Sequence, residues 1–216
     1  IKQCVKEHVD AARRGLEAGF DIMEISGIVG YLLSNFISSY TNRRTDEYGG
    51  DLRGRMRAVV EIIQEVKKIC GKDVPLGIRL CAEELLDDVR GNTPEESMMS
   101  YKIAEEAGVD YISVTAGWQE SIVPVISRDV PQGSWLHLAK RSKENVKVPI
   151  MMAYRLFDPN IPHKAIEKGA AQAAAALHLV RDIRQFPCTQ RRTGYGNQPF
   201  VLRSDVGPVE RAETRY

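Results

Sequence analysis

The chain has 216 residues, of which 43% are hydrophobic and 27% charged, and its formal net charge is +1. At roughly 100–200 residues per domain it holds one domain, or one domain with a tail, and the composition excludes a disordered, coiled-coil or collagen-like chain. No run approaches ~18–20 consecutive apolar residues, which excludes a membrane span, and the near-zero charge gives no strong pull toward nucleic acid or acidic lipid.

Residues 2–18 place Val5, Val9, Ala12 and Leu16 at helical spacing, and Gly19 ends that helix. The opening Ile1-Lys2-Gln3-Cys4 has neither an initiator Met nor a signal-peptide pattern and reads as the interior of a helix, so a piece of a longer chain is expected. The run Phe20 to Ile25 predicts a buried strand. Residues 26–50 read as a long loop with one apolar piece, Tyr31 to Ile37. Val59, Ile62, Ile63, Val66 and Ile69 mark a second amphipathic helix closed by Gly71, and Val74 to Leu80 a second strand. Thr93-Pro94-Glu95-Glu96 has the form of a capping box with proline in the first turn, opening a helix that runs to Gly108. Val109 to Val114 is a third strand, Trp135 to Glu144 a helix, Val148 to Met152 a fourth strand, and Asp158-Pro159 the start of a helix ending at Gly169.

Strands alternating with helices imply a parallel sheet, either an open doubly wound one or part of a barrel. A complete eight-unit barrel needs ~250 residues, and this chain holds about four or five units. Composition changes after Gly169: lysine disappears, residues 170–176 hold six alanines, and the segment from Arg181 carries seven arginines among four acids. The expected division is therefore residues 1–169 as the α/β unit and 170–216 as an atypical, poorly specified segment. A solvated tail, sequence foreign to the fold and a nucleic-acid-binding arm remain open there, with interspersed acids weighing against the last.

The cysteines, Cys4, Cys70, Cys81 and Cys188, form no C-x-x-C pair, which removes zinc-ribbon and compact iron–sulfur readings. Their wide spacing fits a reducing, cytoplasmic location. His8, His137, His163 and His178 show no metal-ligand spacing, and neither G-x-S-x-G nor a P-loop occurs, so no metal, hydrolase or kinase site is expected.

In parallel α/β folds chemistry gathers at the carboxyl ends of strands. After the first strand, Gly27 and Gly30 permit a tight turn that presents Tyr31. Tyr31 is either a core tyrosine under the loop or a proton donor to a developing anion. Arg79 is a lone charge in an apolar strand, on one face with Gly77 and Cys81, and must meet a ligand anion or a nearby carboxylate. Ala116-Gly117-Trp118-Gln119 after the third strand makes a plausible pocket wall, with Gln119 able to hydrogen-bond a ligand. The dense mixed charges from Thr41 to Asp51, with Arg53, Arg55 and Arg57, read as a salt-bridged surface loop or a clamp on the sheet rim.

Ala18-Gly19-Phe20-Asp21 to Glu24-Ile25, Gly30-Tyr31-Leu32-Leu33, Phe36, the string Thr41-Asn42-Arg43-Arg44-Thr45-Asp46-Glu47-Tyr48-Gly49-Gly50 with Arg55, Val114 to Trp118, and Pro149 to Pro159 together resemble the Old Yellow Enzyme family of flavin oxidoreductases. The resemblance covers about residues 5–169 and is closest to the 2-enoate and 2,4-dienoyl-CoA reductase branch, which includes bile-acid flavoenzymes. It implies a partial (β/α)8 barrel holding about strands four to eight and lacking the first three, with FMN at the carboxyl mouth and NADH or NADPH as electron donor. It places Tyr31 on the proton-donor tyrosine and Arg79 on the arginine at the flavin N1/C2=O edge, with Ser26, Trp118 and Gln119 toward substrate. Ser26 and Val29 stand where many members carry a His-x-x-His or His-x-x-Asn pair, and Gln119 where the dienoyl-CoA branch usually has histidine.

The implied reaction is reduction of a C=C bond conjugated to a carbonyl, in an enoate, enoyl-CoA or 3-oxo-Δ4 steroid. A flavin-dependent dehydrogenase or demethylase on the same barrel, and a non-catalytic truncated fragment, are the alternatives. The 4Fe–4S cluster and FAD of longer branch members have no counterpart motif here. Because three strands that supply part of the flavin site are not among these units, weak FMN binding by the isolated chain is expected, as is self-association through exposed sheet edges.

Overall fold

The computed structural model describes residues 1–86, 91–121, 123, 126–169 and 173–175, the last three by their backbone. The elements in order are α1 (Lys2–Glu17), β1 (Met23–Gly27), α2 (Leu32–Ile37), α3 (Leu52–Cys70), β2 (Leu76–Cys81), α4 (Pro94–Ala107), β3 (Tyr111–Thr115), α5 (Leu136–Asn145), β4 (Ile150–Ala153), α6 (Asn160–Glu167) and β5 (Ala173–Ala175). The five strands form one parallel sheet in the spatial order β1-β2-β3-β4-β5.

Spatial order that follows chain order decides between the two architectures left open by the sequence. A doubly wound sheet reverses its order and carries helices on both faces. Here every strand sits beside its predecessor, and right-handed crossovers then put all the helices on one face. α3 packs between α1 and α4, and α4 against α5. The sheet is a run of barrel wall.

Strand alternation divides the side chains accordingly. Ile25, Ile78, Leu80, Ile112, Val114, Ile150 and Met152 point to the helices and are buried with Met56, Val59, Ile62, Ile63 and Val66 of α3. Each such side chain contributes about 1.5–3 kcal/mol of transfer free energy. The intervening positions of β1 to β3, Glu24, Ser26, Gly77, Arg79, Cys81, Tyr111, Ser113 and Thr115, form a polar inner face, continued on β4 by the apolar Met151. The apolar core fixes the wall and leaves that face available for chemistry.

Local signals in the sequence hold where they rest on caps. Thr93 and Glu96 close the capping box, with Glu96 N–H donating to Thr93 Oγ1 at 3.2 Å and Thr93 N–H donating to Glu96 Oε2 at 3.0 Å. Asp51, unmarked as a cap in the sequence, caps α3 by accepting from Gly54 N–H at 2.8 Å, whereas α6 has Pro159 at its N-cap without a side-chain cap bond, and Asp158 accepts from Asn160 N–H at 2.9 Å just before it. Two expectations need correction. The first strand begins at Met23 rather than Phe20, because the chain is still leaving α1: Gly19 adopts φ 86°, Phe20 N–H bonds back to Gly15, and the Phe20 side chain is 66% exposed. Within the long loop, Leu32–Ile37 is a helix rather than an irregular piece. Apart from the β5 backbone, the atypical segment 170–216, including His178 and Cys188, lies outside the described residues.

Candidate active site at the strand ends

Arg79 lies centrally on the inner face. The register sets Ser26 of β1, Arg79 of β2 and Ser113 of β3 in one row across the sheet. Arg79 Nε donates to Ser113 Oγ at 3.0 Å, and Arg79 Nη2 forms an ion pair with Glu24 Oε1 at 2.8 Å. Glu24 thus supplies the nearby carboxylate that the sequence left as one of two alternatives. The Arg79 and Glu24 side chains keep 27% and 23% of their surface exposed. Nη1 of Arg79 has no partner among the described residues. Burial pushes the Glu24 carboxyl above its ordinary range, and Arg79, Ser113 and Tyr111 partly offset this.

Tyr111 completes the cluster from one row below. A Cβ on Gly77 would sit 2.1 Å from Tyr111 Cζ, so the phenol ring lies directly across Gly77. That crossing carries the Tyr111 hydroxyl to the Met23 carbonyl at 3.4 Å. Burial, then the charge of Glu24, raises the Tyr111 phenol pKa. Glycine at position 77 is therefore required by a ring, not by backbone conformation. At the strand's end Cys81 Sγ donates to the carbonyls of Glu83, at 3.0 Å, and Gly117, at 3.5 Å, and burial keeps the thiol protonated.

Two loops converge beyond the strand ends. Ile28-Val29-Gly30 turns sharply, with φ 43° at Val29 and 89° at Gly30. A left-handed β-branched residue is an outlier that costs of order 1–3 kcal/mol and is held by its surroundings. Here Ser34 Oγ donates to the Ile28 carbonyl at 2.8 Å and accepts from Gly30 N–H at 2.9 Å. Tyr31 then sits at the N-cap of α2, 56% exposed, and its hydroxyl has no partner among the described residues. It is not a core tyrosine. A Cβ on Gly30 would lie 3.3 Å from Trp118 Cε3 and 3.6 Å from Gln119 Cδ, so the first and third strand exits touch at Gly30.

Trp118 is buried edge-on against Tyr40, with ring centroids 5.8 Å apart, and its Nε1 has no hydrogen-bond partner among the described residues. Gln119 and Ser26 are exposed. Of the residues singled out by sequence, the structure brings Gly30-Tyr31 to Trp118-Gln119, and Ser26 to Arg79. Trp118 serves as a support beneath the loop more than as a free pocket wall. Sequence reasoning does not single out Glu24, Tyr111 and Ser113. Glu24 carries a legible signal, a charge two residues before Ser26 on the same strand face; Tyr111 and Ser113 carry none without the register.

The rim loop is a separate construction. Arg55, nearly fully buried, donates from Nε to the Ile37 carbonyl at 2.9 Å and from Nη1 to the Gly50 carbonyl at 2.8 Å. Its Nη2 reaches Asn92 Oδ1 at 3.0 Å and Glu96 Oε1 at 2.8 Å. Asn42 Nδ2 ties the Phe36 and Tyr48 carbonyls, at 2.7 and 2.8 Å. Glu84, also buried, accepts from Ser38 Oγ at 2.8 Å and Asn92 N–H at 2.9 Å; burial raises its carboxyl pKa, and these bonds oppose the shift. The mixed-charge loop is a clamp on the rim, and its arginine is used up holding it.

A groove of about 490 Å³ runs between α1 and α3 on the outer surface and is lined by none of these residues. Among the described residues no helix is long and apolar enough to cross a membrane, and no His/Cys/Asp/Glu group has a metal-binding arrangement.

A barrel-wall sheet carries a part-engaged arginine on its inner face and, beyond its first strand, a tyrosine hydroxyl without a partner among the described residues, and together they form a candidate site at a strand mouth. The sequence pattern of the NADH:flavin oxidoreductase / NADH oxidase family matches residues 1–178, and the chain belongs to that family. It is 36% identical to a metal reductase of Desulforamulus reducens over 96% of this chain and 30% of that protein. It is 34% identical to a cinnamate reductase of Clostridium sporogenes over 81% of this chain and 28% of that protein. Among solved structures, 2-naphthoyl-CoA reductase in complex with 2-naphthoyl-CoA superposes with a TM-score of 0.75 at 39% identity, over 79% of this chain and 26% of that one. Old Yellow Enzyme homologues share the fold. The chain spans under a third of the length of these two curated relatives.

Proposed function

We propose that the protein is an FMN-dependent reductase of C=C bonds conjugated to a carbonyl, driven by NADH or NADPH. The observation that carries this reading is Tyr31: an exposed phenol without a partner among the described residues, held by the first turn of α2 where the β1 and β3 exits meet. A phenol so placed donates its proton to the α-carbon of an activated alkene as a hydride reaches the β-carbon, and the two together saturate the bond.

The residues present fit FMN. Arg79 retains Nη1 for an anion-bearing ring edge after Glu24 and Ser113 are served, and Ser26 beside it is small and exposed. When bound, FMN supplies the two-electron transfer between nicotinamide and substrate. Arg79 would hold the N1/C2=O edge. Gln119, next to Gly30, would orient the substrate carbonyl in place of the His-x-x-His or His-x-x-Asn pair, of whose positions Ser26 can still donate one hydrogen bond and Val29 none. A cinnamate reductase and a 2-naphthoyl-CoA reductase among the relatives support enoates and conjugated acyl-CoA thioesters as the substrate class.

The test is Tyr31→Phe in a protein supplied with FMN. Flavin reduction by nicotinamide should be unchanged, while reoxidation by an enoate or enoyl-CoA should slow by about 10²–10⁴-fold. Reoxidation at the wild-type rate would remove Tyr31 from the chemistry and the reading with it.

A further inference from the structure

Arg79 is held from two sides on the inner face, and the two holds differ in kind. Ser113 is a neutral hydroxyl at Nε, 3.0 Å away; Glu24 is a carboxylate at Nη2, 2.8 Å away. Glu24 reaches Arg79 diagonally. In the register it pairs with Gly77, while Arg79 pairs with Ser26. Gly77 has no side chain, and the Tyr111 ring lies across it from β3 toward β1, in the row of Glu24 and one below Arg79. The guanidinium is therefore fixed in rotation, with Nε and Nη2 committed and Nη1 free. Its positive charge is also largely balanced by one carboxylate within contact distance.

We infer that Glu24 is a positioning residue for Arg79: it fixes which edge of the guanidinium faces the flavin and damps the positive charge presented there. The inference rests on the proposed function, which brings FMN to Arg79. Its consequence is thermodynamic. Reduced FMN carries more negative charge at its N1 edge than oxidised FMN, so the net charge of the Glu24–Arg79 pair sets how much more tightly the reduced form is held. Full, undamped charge favours the reduced form; a paired guanidinium moderates that preference.

The experiment measures the dissociation constants of oxidised and of anaerobically reduced FMN for wild type, Glu24→Gln, Arg79→Gln and the double variant, each confirmed folded by circular dichroism. The amide oxygen introduced by Glu24→Gln still accepts from Nη2, but the charge is gone. The expected result is a reduced-over-oxidised affinity preference that rises about 5–10-fold in Glu24→Gln, and no effect of the same change in the Arg79→Gln background. A Glu24→Gln preference within twofold of wild type, or an equal change in both backgrounds, overturns the inference while leaving the proposed function standing. Arg79→Gln without effect on either affinity overturns the proposed placement of FMN and the inference together. Glu24→Ala separates orientation from charge: it should weaken both forms of FMN, and unchanged affinities would contradict the positioning role.

Discussion

Arg55 and Arg79 make opposite use of the same side chain. Arg55, on α3, spends its guanidinium on two carbonyls, the Asn92 amide and the Glu96 carboxylate, and is almost wholly buried. Arg79, on β2, spends only part of its guanidinium, on one hydroxyl and one carboxylate, and keeps a quarter of its surface open on the inner face. A buried cation with four of its five N–H donors matched is a fastener; one with only two matched and an open side is a receptor for something else. Both stand in regions that the sequence marks as notable, and neither motif nor charge density separates them. The difference lies in the count of satisfied donors.

The largest expected effect follows from breaking the fastener. Arg55→Ala leaves the Ile37 and Gly50 carbonyls, Asn92 and Glu96 without their shared partner, and should cost about 3–5 kcal/mol of unfolding free energy, read by urea denaturation. A loss under about 1 kcal/mol, the scale of one ordinary hydrogen bond, would mean that the rim loop is held elsewhere. Next in size is Gly77→Ala. Its Cβ would meet the Tyr111 ring at 2.1–2.4 Å, so the ring must swing off β1, at a cost of about 1–3 kcal/mol. Adding Tyr111→Ala should recover part of that loss, and purely additive losses would contradict the contact.

The smallest effect belongs to Glu84 under the rim. Burial raises its carboxyl pKa above the ordinary 4.5, so the folded state holds that proton more tightly than the unfolded chain. The sign follows from linkage: the stabilisation is present at low pH and is lost as pH rises from 4.5 through the raised folded value. Glu84→Gln keeps an acceptor for Ser38 and Asn92 and should lack this dependence. Its stability relative to wild type therefore rises with pH across that window, measured by thermal unfolding in a pH series. A parallel pH profile for the two proteins would place the shift elsewhere.

The fold is legible where capping chemistry and periodicity agree. Thr93-Pro94-Glu95-Glu96 and the α3 stripe from Val59 to Val66 predict their elements because each signal is local. The start of β1 is not, because Phe20, though apolar, is spent in the turn out of α1; hydrophobicity alone does not distinguish an exposed turn residue from a strand. The short α2 is hidden because six residues carry too little periodicity to mark a helix. At the site, Tyr31 and Arg79 are visible as a tyrosine after a glycine turn and a charge in an apolar strand. Their partners are not, since Ser113 meets Arg79 only through the β2–β3 register and Tyr111 meets Glu24 only across a glycine. Side chains that act across strands are encoded in register, which no single segment displays.

The central claim is that Arg79, not Arg55, faces the cofactor. It is tested most directly by titrating FMN into wild type and Arg79→Gln, following flavin fluorescence, with unfolding free energies measured on the same preparations. The account predicts FMN affinity weakened about 10–100-fold, as expected for one charge-assisted hydrogen bond, with stability within about 1 kcal/mol of wild type. Unchanged affinity, or a stability loss as large as that of Arg55→Ala, would show that Arg79 is a second fastener and contradict the account.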